Sequence, residues 1–108
     1  MKLVRDCIPQ IIEESGRVCV YHVSTRDEYE MWLFEKMKEE MQEFIDSPCY
    51  EEAADIYEVF RSFCDLHQLE LDGVESVAAD KREQRGGFSQ RIILDSVDSP
   101  DTVPTVEP

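Results

Sequence analysis

Five carboxylates define the chemistry open to this chain: Glu39, Glu40 and Glu43, then Glu52 and Asp55. Glu40/Glu43 and Glu52/Asp55 have i,i+3 spacing, which places both members of a pair on one side of a helix. Carboxylate oxygens are what a hard divalent cation such as Mg2+ takes, with waters and substrate phosphates filling the remaining positions. Other metals fit the sequence poorly. A di-iron bundle uses Glu-x-x-His on two helices, whereas the second motif here is Glu52-Ala53-Ala54-Asp55 and His67 stands turns away. Cys7, Cys19, Cys49 and Cys64 include no Cys-x-x-Cys pair, and only His22 and His67 are available to join them. They read as the reduced thiols of a cytosolic protein rather than zinc ligands or disulfides.

Helices must position these acids. Thr25-Arg26-Asp27-Glu28 has the T-x-x-E spacing of a capping box, and a helix follows to about Ile45. Ser47-Pro48 offers an N-cap and a proline at the first position of a second helix, which carries Glu52 to about His67. On a wheel of about 100° per residue, Tyr29, Leu33, Met37 and Phe44 form the first apolar stripe. Glu40 falls inside it, Glu43 on its flank, Lys36 between them, and Glu39 nearer solvent. Ile56, Val59, Phe60 and Phe63 form the second stripe. Glu52 falls within it and Asp55 on its flank, and Glu58, Arg61, Ser62 and Asp65 make an opposite polar face. Burying an unpaired carboxylate costs several kcal/mol. This sequence does so on two helices that a short turn makes antiparallel neighbours, which points to a cation between them.

The remaining elements are shorter. Residues 1–7 read as extended. Pro9 opens a helix through Ile11, Ile12 and Glu14 that Gly16 ends, and residues 17–23 form an extended connector. Asp72-Gly73-Val74-Glu75 repeats the N-cap spacing before a helix to Arg85, stopped by Gly86-Gly87. Phe88 to Leu94 is a short apolar and basic segment. The expected organisation is therefore one all-α domain over 1–94 and an acidic, proline-containing disordered tail over 95–108. Trp32, at the edge of its stripe, reads as a core or dimer contact ahead of a ring that stacks on a base; Met31, Met37 and Met41 read as packing residues, and His67 as a satisfied core histidine.

Eleven Lys+Arg against 25 Asp+Glu give a net charge of −14. Nucleic-acid binding requires a cationic face and anionic membranes attract basic segments, so neither partner is expected. No apolar run approaches the ~20 residues of a membrane span, and Asp6 interrupts the stretch a signal peptide would need. A cytoplasmic location is expected.

The motifs Glu39-Glu40-Met41-Gln42-Glu43 and Glu52-Ala53-Ala54-Asp55 resemble the E-E-x-x-E…E-x-x-D signature of the all-α nucleoside triphosphate pyrophosphohydrolases. That superfamily includes MazG, the dimeric dUTPases and phosphoribosyl-ATP pyrophosphohydrolase. Lys2-Leu3-Val4-Arg5-Asp6-Cys7-Ile8-Pro9 is similar to the K-L-V-R-D-K-I-P opening of one small MazG-like branch, with Cys7 where the branch carries Lys. Lys81-x-x-x-Arg85-Gly86-Gly87-Phe88-x-x-Arg91-Ile92 looks like that branch's closing motif. The resemblance covers about residues 2–94. It implies hydrolysis of an NTP or dNTP to the monophosphate and pyrophosphate, in nucleotide-pool control or cleaning. It implies Mg2+, with Mn2+ able to substitute, held by Glu40, Glu43, Glu52 and Asp55. Glu39 and Glu40 would be the catalytic acids, Glu39 serving as a ligand of another ion or as the base.

An acidic site alone repels a triphosphate, so cations must hold the phosphates. Lys81 and Arg85 share a helix face at i,i+4, and together with Arg5 and Lys2 they are the candidates. Two helices cannot enclose the apolar stripes alone. A helical hairpin with flanking helices is therefore expected to complete a four-helix core as a homodimer, or a homotetramer built from dimers. The rival reading is a non-enzymatic acidic helical protein that binds or regulates a partner.

Overall fold

The computed structural model describes residues 1–98. Among these there are four helices and no strand. The chain divides into two units, Met1–Val74 and Glu75–Pro108.

In the first unit, residues 1–7 lead into α1 (Ile8–Glu14), which has Pro9 in its first turn. The helix stops at Ser15, and Gly16 takes a left-handed φ of 86°. That conformation is cheap for glycine alone. Residues 17–25 form a connector without helix or strand. Thr25 then caps α2 (Arg26–Asp46), its hydroxyl accepting from the Glu28 backbone N–H at 3.2 Å. The Glu28 carboxylate pairs with His22 at 2.6 Å. The cap therefore also anchors the connector to the helix start.

The turn Ser47-Pro48-Cys49 joins α2 to α3 (Tyr50–Leu66). Ser47 does not cap α3. It closes α2, its N–H bonding to the Glu43 carbonyl, and Cys49 precedes α3 without a side-chain cap. A turn this short makes the helices antiparallel, and Arg26 at the start of α2 donates to the Leu66 carbonyl at the end of α3 at 3.2 Å. The hairpin buries Leu33, Val59 and Cys64, together with one acid, Glu40.

The same hairpin leaves apolar side chains uncovered: Phe34, Met41 and Ile45 on α2, Tyr57 and Phe60 on α3. Met31 and Met41 are exposed rather than packed: Met31 lies on the side of α2 turned away from Leu33, and Met41 on the flank of the stripe. His67 is no core residue. It is exposed and pairs with Glu30 at 3.0 Å. At that end α3 is terminated by Gln68, with φ 58°, while the Leu69 N–H reaches back to the Cys64 carbonyl at 2.8 Å. This is a Schellman-type stop without the usual glycine.

α4 (Leu71–Arg85) begins one residue before Asp72, so Asp72 sits in the first turn rather than capping it. There its charge opposes the positive end of the helix dipole favourably. In the second unit, α4 ends with Arg82 and Arg85 in its last turn and Gly86 at φ 82°, and residues 88–94 form no regular element. Of the tail expected to be disordered, residues 99–108 lie outside the described residues. No helix among the described residues is long and apolar enough to cross a membrane.

Candidate metal centre

Glu40, Glu52 and Asp55 converge between α2 and α3, each offering a carboxylate oxygen within 4.8 Å of the others. The geometry follows from local periodicity. Glu40 lies two turns beyond Leu33 on the buried stripe of α2, and Glu52 lies two turns before Val59 on that of α3. Because the helices run antiparallel, the C-terminal half of α2 meets the N-terminal half of α3. Asp55 follows Glu52 on the adjoining turn.

Glu40 is the deepest of the three, only 5% exposed. Its Oε1 lies 3.1 Å from Lys36 Nζ, and its Oε2 is buried with no hydrogen-bond partner. Glu52 Oε2 is likewise buried and unpartnered. Desolvation raises the Glu40 pKa above the ordinary carboxylate value; Lys36 opposes the rise and the neighbouring Glu43 carboxylate adds to it. Arg5 reaches in from the N-terminal segment and binds Asp55 Oδ1 at 2.7 Å. A cavity of about 410 Å3 opens over Glu40 and Asp55, lined also by Arg5, Lys36, Glu58 and Ser62 among others.

The other expected site residues are distributed as follows. Glu43 is exposed and outside the converging three, although it faces Glu40 closely enough to affect its charge. Glu39 is half-buried and lies 3.6 Å from Lys36. Lys2 lines a neighbouring cavity of about 510 Å3 together with Lys36 and Glu39. Lys81 and Arg85 are exposed on α4, in the second unit. Trp32 is half-buried and borders this neighbouring cavity.

Two residues expected to face outward turn inward. Glu58 and Ser62 are half-buried and line the acid cavity, while Phe60 is exposed. The stripe of α3 is thus centred on Val59 and Glu52 rather than on its aromatic residues. Centring the wheel on Glu52 would have drawn Ser62 inward with Asp55. Lys36 lies at i,i+3 and i,i+4 from Glu39 and Glu40, so its pairing with both follows from the helical spacing of α2.

These residues fit a hard divalent cation. The donors are all carboxylate oxygens, they converge, and two buried oxygens lack any partner although buried polar atoms are nearly always paired. No protein-family model, curated protein or solved structure matches the chain.

Proposed function

We propose that this protein is a Mg2+-dependent nucleoside triphosphate pyrophosphohydrolase, cleaving an NTP or dNTP between the α and β phosphates in nucleotide-pool control or cleaning. The observation that carries the reading is the convergence of Glu40, Glu52 and Asp55 around two buried, unpartnered carboxylate oxygens. The resemblance of the acidic, opening and closing motifs to the MazG-like enzymes supports the same reaction.

In this reading Glu40, Glu52 and Asp55 hold Mg2+, or Mn2+ in its place, and Glu43 adds negative charge beside Glu40. When bound, the cation neutralises phosphate charge and lowers the pKa of a water. Glu39, half-buried beside Lys36, would serve as a ligand of another ion or as the base that takes a proton from that water. Arg5 lies at the cavity with more than half of its side chain exposed, so its remaining N–H groups are open to phosphate oxygens in the bidentate manner that suits guanidinium. Lys2, which lines the neighbouring cavity with Lys36 and Glu39, is a further phosphate contact. The exposed Phe34, Met41, Ile45, Tyr57 and Phe60 support burial against a second copy, giving a homodimer or homotetramer with a shared four-helix core.

The deciding experiment incubates a panel of NTPs and dNTPs with the protein and Mg2+, and resolves monophosphate plus pyrophosphate from diphosphate plus orthophosphate. Monophosphate and pyrophosphate are expected from at least one member. Orthophosphate as the sole initial product overturns the reaction type, and turnover unchanged in both Glu40→Gln and Asp55→Asn overturns the site.

A further inference from the structure

We propose that Lys36 and Arg5 are exchangeable counter-cations: they neutralise the acid cluster when it holds no metal and transfer to the phosphates when metal and nucleotide arrive together. This rests on the metal-centre reading above and adds to it a coupling between the two ligands.

Each cation holds one oxygen of a different metal-site carboxylate. Lys36 Nζ is 3.1 Å from Glu40 Oε1, and Arg5 is 2.7 Å from Asp55 Oδ1. Both line the cavity that lies over those acids. A dication entering the cluster meets two positive charges already seated there, and like charges at such separations repel strongly where water is excluded. Both side chains have somewhere to go. Arg5 sits on a non-helical segment and is 56% exposed at its side chain. Lys36 carries its ammonium on a flexible stem and already lies within 3.6 Å of Glu39. A triphosphate entering the same cavity offers new anionic partners to both.

Metal and phosphate therefore bind synergistically, and by linkage each strengthens the other to the same degree. Metal alone binds weakly because it must displace two built-in cations. Phosphate alone binds weakly because those cations are engaged by carboxylates. Such coupling holds the site closed to either ligand arriving singly.

The test uses calorimetric titration of Mn2+ alone, then of inorganic pyrophosphate at saturating Mn2+, on wild type and three variants of equal charge change. Lys36→Gln should bind Mn2+ about tenfold tighter and Arg5→Gln about threefold tighter, the more exposed pair being the more screened. Both should bind pyrophosphate several-fold more weakly. Lys38→Gln removes a cation that pairs with exposed Glu35 instead and should leave both affinities unchanged. Circular dichroism reports whether each variant keeps its helices. Should Lys36→Gln lose them, Arg5→Gln decides, since its partner Asp55 retains access to water. Mn2+ affinities in Arg5→Gln and Lys36→Gln no tighter than in Lys38→Gln overturn the exchange while leaving the metal centre standing. Absence of Mn2+ binding in all four proteins overturns the metal centre itself.

Discussion

The ammonium of Lys36 reaches one oxygen of the Glu40 carboxylate and not the other: Nζ lies 3.1 Å from Oε1, while Oε2 is buried without a partner. A buried carboxylate satisfied on one side only is a liability for a folded protein. That cost leaves one oxygen available, as the proposed metal site would require.

That liability has a pH signature. Burial raises the Glu40 pKa, so between the unfolded and the raised folded value the native state holds a proton that the unfolded state has lost. Stability from this group is fully present below the unfolded pKa and falls as pH rises through the folded one. Glu40→Gln removes the group. Without metal, the variant should gain stability relative to wild type on going from pH 4, below the unfolded value, to pH 8, measured by urea denaturation at the two values. A constant difference would show that Glu40 carries no burial penalty.

Metal should reverse the penalty at neutral pH. A ligand that binds only the native state stabilises it by mass action, about 2.7 kcal/mol at a hundredfold excess over Kd. Millimolar Mn2+ together with pyrophosphate should raise the melting temperature of wild type by several degrees. Asp55→Asn and Glu52→Gln should lose most of that shift, and Lys38→Gln should keep it.

Activity should rank the acids by their place in the cluster. Loss of a converging ligand, in Glu40→Gln or Asp55→Asn, should lower kcat/KM by about a hundredfold or more, since metal charge stabilisation amounts to several kcal/mol. Glu43→Gln, exposed and outside the three, should cost about tenfold or less on the same scale. Steady-state kinetics with the preferred nucleotide gives the order, and equal losses at Glu40 and Glu43 would place both in one coordination shell.

The uncovered apolar side should govern assembly. Phe34→Glu or Ile45→Glu introduces a charge among exposed apolar residues of α2, which a shared core would have to desolvate. Sedimentation at micromolar concentration should show a dimer or larger for wild type and dissociation or loss of folding for these variants. A wild-type monomer that keeps its helices would show the hairpin to be self-sufficient.

Thr25→Ala removes the hydroxyl that accepts from the Glu28 N–H. About 1 kcal/mol should be lost, lowering the melting temperature by about 4–8 °C for a domain of this size. The manganese-induced shift should persist, because the cap lies at the far end of α2 from Glu40.

Short-range signals in the chain determined the helices and the depth of one acid. Pro9, Gly16, Thr25 and Gly86 act through their own backbone and nearest neighbours, so α1, the start of α2 and the end of α4 were legible. Glu40 was legible as a buried acid because it shares a helical period with Leu33, whatever covers that stripe. Where no local residue enforces the boundary, residue type misleads: Ser47 closes α2 instead of opening α3, and Gln68 ends α3 although nothing in its type demands a left-handed turn. The rest depended on which side of each stripe the neighbouring segments cover. Arg5 meets Asp55 across fifty positions of sequence, an encounter that no periodicity encodes. Glu58 and Ser62 line the cavity while Phe60 stays exposed, although hydrophobicity alone ranks them the other way. The helical period specifies a face within a helix. The partner of that face, and hence whether a polar flank borders solvent or a site, is set only when the hairpin closes and the N-terminal segment folds against it.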